Sequence, residues 1–154
     1  MSETKYVSVR GNSQSRAVVN YDHFEFASLK EGVLSICMGH ALGNDDDFAF
    51  GVENGGEDAM IDFSKSIDAL MEKDESIRKS VAVLMGDDGV VRAILNLKKL
   101  AYVYFHIDVM NDHAGHPVPM ECLDIWYANY GFRLVEEDAV SMYENICEQT
   151  GQEP

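Results

Sequence analysis

Basic residues, cysteines and prolines are scarce in this sequence, and it has no long apolar run. Twelve Lys and Arg face twenty-seven Asp and Glu, a formal charge of -15. Such an imbalance works against attraction to nucleic-acid phosphates or an anionic membrane surface, so neither is expected as a direct partner. The three cysteines, Cys37, Cys122 and Cys147, are odd in number and widely spaced. With no Cys-x-x-Cys pair they offer neither a zinc knuckle nor a redox couple, and reduced, buried thiols are expected. Nowhere do about 18 apolar residues follow one another, the length a membrane helix needs. The polar start Met1-Ser2-Glu3-Thr4-Lys5 leads into no apolar stretch of signal-peptide length, so the expected compartment is the cytoplasm. Phosphate-cradling Gly-x-x-x-x-Gly-Lys-Ser/Thr, Gly-x-Gly-x-x-Gly and the Gly-x-Ser-x-Gly elbow are all missing, which removes the common nucleotide-binding and hydrolase readings.

The 154 residues are 46% apolar and 10% aromatic, enough for one packed core and tight for two. Residues 1–149 are therefore expected to form a single domain, with 150–154 a frayed tail. Charge is segregated along the chain. Residues 1–44 are neutral, 45–77 hold eleven acids and two bases, 78–100 hold two acids and five bases, and 101–154 hold ten acids with Arg133 as their one base. Interspersed charge would already meet the need for solubility, so blocks of one sign ask for another cause or are simply solvated faces.

Tyr6–Val9 and Ala17–Val19 flank the polar run Gly11–Ser15 and predict an N-terminal hairpin. Strands are expected over His23–Leu29, Val33–Met38 and Phe48–Val52, with a helix from Ser28 to His40 as the competing assignment. Met60, Phe63, Ile67, Leu70 and Met71 repeat at helical spacing and predict a helix over Glu57–Glu75. At about 100° per residue these apolar positions share an arc of about 100°, while Glu57, Asp58, Asp62, Asp68, Glu72 and Glu75 occupy an arc of about 140° opposite, with Lys65 the one base among them. Val81–Met85 and Val90–Leu97 around Gly86-Asp87-Asp88-Gly89 predict a hairpin, although Arg92–Leu100 also fits a helix. Leu100–Val109 reads as a strand, Met120–Tyr130 as a helix ended by Gly131, Phe132–Val135 as a strand and Asp138–Glu148 as a last helix. The expected class is α+β, a mostly antiparallel sheet with two or three helices packed on one face.

Several constellations are candidates for chemistry. His106, Asp108, Asp112, His113 and His116 are five potential metal ligands within eleven residues. His106 and Asp108 would share a strand face, whereas His113 and His116 fall in a Gly/Pro-bearing loop, and surface histidines are the plainer reading. Cys37 with His40, or Cys122 with His116, could pair as nucleophile and base, but a thiolate needs an electropositive setting that this chain does not supply.

Tyr127-Ala-Asn-Tyr-Gly-Phe132, followed by Arg133-Leu-Val, resembles the tyrosine-x-x-x-glycine-phenylalanine segment of GNAT-type N-acetyltransferases. The preceding His106-Ile-Asp-Val-Met-Asn111 is similar to the strand that family places before the corresponding helix. The resemblance implies an acetyl-coenzyme A site, with Tyr127 placed to protonate the departing thiolate. It also implies a pyrophosphate loop at a helix N-terminus, for which Gly86-Asp-Asp-Gly89 and Ala114-Gly115-His116-Pro117 are mutually exclusive placements. Two aspartates would repel a pyrophosphate in the first, and proline removes backbone donors in the second.

The acidic surface is the alternative carrier of function. The ridge Asp58, Asp62, Asp68, Glu72 and the loop Asp45-Asp46-Asp47, with the acidic C-terminal third, set carboxylates a few ångströms apart, comparable with the charge spacing of duplex DNA, roughly 1.7 Å per charge. Trp126, Tyr127, Tyr130 and Tyr143 would add aromatic contacts or belong to the core. In size and composition the chain resembles the acidic DNA-mimic inhibitors made by phages and mobile elements. The expected function is a protein-binding or inhibitory role on a basic partner, including one that itself binds nucleic acid, with no cofactor. A second copy of the chain is a further candidate partner.

Overall fold

Val81–Met85 is apolar at every position, and a strand apolar on both sides has to be covered on both sides. That requirement organises the molecule. The computed structural model describes residues 6–10, 16–38, 49–52, 55–128 and 130–154. In chain order its strands are β1 (Tyr6–Arg10), β2 (Arg16–Asn20), β3 (Phe26–Lys30), β4 (Val33–Cys37), β5 (Ala49–Val52), β6 (Val81–Met85), β7 (Val91–Asn96), β8 (Tyr102–Asn111), β9 (Pro117–Trp126) and β10 (Gly131–Val135). The helices are α1 (Gly56–Lys73), the single turn α2 (Glu75–Arg78) and α3 (Glu136–Thr150).

β5-β4-β3-β7-β6 form a five-stranded antiparallel sheet, β10-β9-β8 a three-stranded one, and β1-β2 a hairpin. The five-stranded sheet separates two cores. On one side Ala27, Leu34, Ile36, Val81 and Ile94 meet Met60, Phe63 and Ile67 of α1 together with Val7, Val9 and Val19 of the hairpin. On the other, Phe26, Ala82, Leu84, Ala93 and Leu95 meet Leu123 and Ile125 of β9 and Ala139, Met142 and Ile146 of α3. The class is α+β, with mostly antiparallel strands and helices packed against sheet. Its two long helices are divided between the faces of the central sheet, because β6 and β7 bury alternate side chains in both directions.

α1 follows the expected period, burying Ala59, Met60, Phe63 and Ile67. Phe63 meets Phe24 edge-on, ring centroids 5.3 Å apart. The helix begins at Gly56, where a Cβ would stand 2.1 Å from the Gly32 carbonyl oxygen and 2.8 Å from the Leu34 nitrogen. Only glycine lets the helix start so close to the β3–β4 turn. Asp74 ends α1 in extended backbone, and its carboxylate accepts from the Ser76 and Ile77 N–H groups to start α2.

Residues 117–126 form a strand, correcting the helix expected over 120–130. Leu123, Ile125 and Tyr127 alternate as buried positions, and β9 pairs with β8 from Trp126 opposite Tyr102 to Pro117 opposite Asn111. β10 pairs only with Cys122–Trp126, so Pro117 and Pro119 lie beyond its reach on a stretch flanked by β8 alone, where a missing N–H is tolerated. The tail expected to fray from Thr150 starts with a helix cap: Gly151 is left-handed and the Gln152 N–H donates to the Cys147 carbonyl, 2.9 Å.

Candidate functional site

The expected carboxylate ridge lies on the outer side of α1. Glu57, Asp58, Asp68 and Glu72 are exposed, Asp62 is half-buried, and Met60, Phe63 and Ile67 point the other way into the core. From Glu57 to Glu72 the ridge runs about 22 Å along the helix. Glu57 and Asp58 in the first turn also complement the helix dipole. Asp45, Asp46 and Asp47 lie outside the described residues.

The outer face of the three-stranded sheet holds a network of ion pairs. Arg133 on β10 donates from Nε to Asp124 Oδ1, 2.6 Å, and from Nη2 to Oδ2, 3.1 Å, a two-point clamp on one carboxylate. Its Nη1 donates to Asp108 Oδ2, 2.9 Å. His106 Nε2 hydrogen-bonds Asp124 Oδ2 at 2.8 Å, and the His106 ring stacks on Tyr104 with centroids 4.3 Å apart. The Arg133 guanidinium holds the carboxyls of both Asp124 and Asp108 below their ordinary range; His106 adds to this at Asp124, and the Val109 N–H at Asp108. The two carboxylates in turn raise the Arg133 pKa.

This network accounts for two of the candidate metal ligands. His106 and Asp108 share a face, as their spacing predicts, but each is engaged by a protein group of opposite character. His113 and His116 lie in the turn between β8 and β9, where Asp112 Oδ1 accepts from the Ala114 and His116 N–H groups, 2.9 Å each. Six residues of strand separate Asp112 from His106, about 20 Å at strand rise. Among the described residues no group of three or more His, Cys, Asp or Glu is arranged to hold a metal ion.

Tyr127 sits in the core at 2% exposure, stacked on Phe26 with centroids 5.5 Å apart. Burial pushes its phenol well above the ordinary value, with Glu25, Tyr21 and Cys37 adding to the shift, and its hydroxyl has no hydrogen-bond partner. The helix that the acetyltransferase resemblance implies before Tyr127 is strand β9. Both placements of the implied pyrophosphate loop are hairpin turns instead of helix N-termini. Gly86–Gly89 closes β6 onto β7 with the Gly89 N–H on the Gly86 carbonyl, 3.0 Å, and 112–116 closes β8 onto β9 with the Asp112 N–H on the His116 carbonyl, 2.9 Å.

The inner face of the same sheet carries a feature that motif reading missed. β8 and β9 run ten residues each and β10 only five, so half of the hairpin projects past the core. On that half Ile107 and Val109 are 69% and 65% exposed, opposite Glu121 and Pro119. β10 passes into α3 with no loop; Glu136 takes a left-handed φ of 57°, and the helix turns back beside the projecting hairpin. Between them runs an open cleft of about 810 Å³ with Ile107, Pro119, Val135 and Val140 as apolar lining and Glu121, Glu136, Glu137 and Asp138 as acidic lining. A neighbouring hollow of about 490 Å³ shares Glu121 and Val140 and continues along Val103, Phe105, Tyr143 and Glu144 to Pro154. Of the four aromatics expected as contacts, Tyr143 lines this cleft, stacked on Phe105 with centroids 4.9 Å apart. Trp126 is exposed on the outer face, Tyr127 is core, and Tyr130 packs half-buried against Phe26.

No family model matches the chain, and comparison with curated proteins and with solved structures finds no match. Among the described residues no helix is long and apolar enough to cross a membrane. Its description is therefore structural: an acidic α+β protein with a carboxylate ridge on one helix and an acid-lined apolar cleft beside another.

Proposed function

We propose that this protein is a binding protein that occupies a basic surface of a partner protein, as an inhibitor or adaptor would. The outward ridge of α1 carries the reading. Asp58, Asp68 and Glu72 are exposed on a helix whose opposite side is sealed in the core, so they are held at fixed spacing. Exposed Lys65 is the one base within the ridge, which stays net negative, and a rigid row of this kind steers a basic partner into encounter. Proteins that bind nucleic acid present such basic grooves, and a row of carboxylates at helical rise competes for them electrostatically.

The test is affinity capture of the partner with the intact chain, followed by association kinetics over a salt series. Asp58→Asn, Asp68→Asn and Glu72→Gln together should slow association about tenfold at low salt and flatten its salt dependence, with the dissociation rate much less affected. An association rate equal to wild type would overturn the ridge's role. Half-buried Asp62 is left in place so that folding is unaffected.

A further inference from the structure

The cleft between the projecting hairpin and α3 differs from the ridge in combining apolar surface with charge. We propose that it docks a basic amphipathic helix of a partner protein, an inference that rests on reading the chain as a binder of basic partners. Two independent features select that occupant. The first is the exposed apolar strip: Ile107 and Val109 stand on the inner face with no element of the described chain over them, while Leu123 and Ile125 on the same face lie under α3. Helices laid side by side on one sheet face are the ordinary way to close such a layer, and α3 covers only the half of β9 that β10 also flanks. The uncovered part, Ile107 to Val109, is about 7 Å along the strand, and half-buried Val103 and Phe105 beside α3 continue the same face to about 20 Å in all, the length of about fourteen residues of helix.

The second feature is charge. Glu121 and Glu144 line the cleft away from the first turn of α3, so the helix dipole does not account for them, and Glu136, Glu137 and Asp138 extend the same field. The one base of residues 101–154, Arg133, lies on the opposite face of the sheet, clamped by Asp124 and Asp108. An apolar strip bordered by carboxylates, with no Lys or Arg among the described residues that line it, complements a helix bearing an apolar stripe flanked by Lys or Arg. It disfavours a second copy of this chain, whose acids would meet the same acids.

The probe is a synthetic, dye-labelled fourteen-residue Leu/Lys peptide with leucines at i, i+3, i+4, i+7 and i+11. Its partner is a scrambled peptide of the same composition without the stripe, and both are titrated by fluorescence anisotropy into the full chain. The striped peptide should bind about tenfold more tightly than the scrambled one. Ile107→Thr with Val109→Thr keeps β-branching at two exposed sites and should erase that preference, whereas Glu121→Gln with Glu144→Gln should weaken binding and reduce its salt dependence. The ridge variant should bind the striped peptide like wild type. Equal affinity for the two peptides, or no change in the Ile107/Val109 variant, would overturn the proposal. Should that variant not fold, an unchanged Glu121/Glu144 variant would overturn it equally. A wild-type dimer by light scattering that the Ile107/Val109 variant converts to monomer would assign the cleft to a second copy and also overturn it. Cleft variants and the ridge variant are read separately, so either proposal can fail alone.

Discussion

The two faces of the central sheet are covered to different extents. On the α1 face Phe24, Met60 and Phe63 are fully buried and what α1 shows outside is mostly charge, while the β1–β2 hairpin beside it exposes Tyr6 and Val18. On the α3 face the covering sheet is longer than what it covers, so its far half shows apolar side chains and charge together. The difference teaches that acidity alone does not distinguish surfaces here. The helix α1, sealed on its inner side, exposes a ridge suited to long-range attraction, and the overhanging hairpin beside α3 adds the apolar contact from which short-range affinity is built.

Substitutions can break or sharpen this contrast. The largest effect is expected at Phe63, whose truncation to Ala leaves a void between α1, Phe24 and the sheet; a loss of about 3–5 kcal/mol is expected in urea or thermal unfolding. A loss under about 1 kcal/mol there would mean the α1 face is not the sealed one. Next comes Asn96, which is buried at the end of β7 and donates from Nδ2 to the Phe24 carbonyl, 2.9 Å, while its Oδ1 accepts from the Lys98 N–H, 3.1 Å. Asn96→Ala should cost about 1–3 kcal/mol by leaving that carbonyl unsatisfied, while Asn96→Asp at neutral pH sets a charge against it and should cost at least as much.

Arg133→Gln tests the outer face through pH. Asp124 and Asp108 are held below the ordinary carboxyl value in the folded state, so the stability they contribute is complete above about pH 4 and is lost as pH falls through their lowered values. The variant should therefore be less stable than wild type at pH 7, and the two melting curves should converge under acid. A difference independent of pH would indicate that Arg133 matters through packing of its stem. The smallest effect belongs to Ile107. Its truncation to Ala should change stability by no more than about 0.5 kcal/mol, since the side chain is mostly in water, and a large loss would show that the hairpin's far half is not an overhang.

The features legible in the sequence were those fixed locally. The period of Met60, Phe63 and Ile67 specified α1 and its exposed side, and Gly86-Asp-Asp-Gly89 between apolar runs specified the β6–β7 turn. Residues 120–130 read as a helix because Met120, Leu123, Tyr127 and Tyr130 fit a helical stripe as well as Leu123, Ile125 and Tyr127 fit alternation. Pairing with β8 across a turn settled the ambiguity, and register is set by such distant contacts. The uniformly apolar β6 already implied cover on both faces, which is why the helices part company. At the candidate sites the carboxylates were legible as composition. The cleft was not, because it arises from a mismatch in length between β8–β9 and β10, a property of no single segment.

The antiparallel pairing of β3 with β7, Phe26 opposite Leu95, has a kinetic corollary. Among the described residues it is the one ladder that joins the first five strands to the last five, and the Asn96–Phe24 bond beside it spans 72 residues of chain. As the chain leaves the ribosome, β3 must wait with an open edge until α1, α2 and β6 have been made. Pairing across so long a separation is the kind of contact that slows folding, and until it forms β3 presents an unpaired edge open to aggregation or to a chaperone.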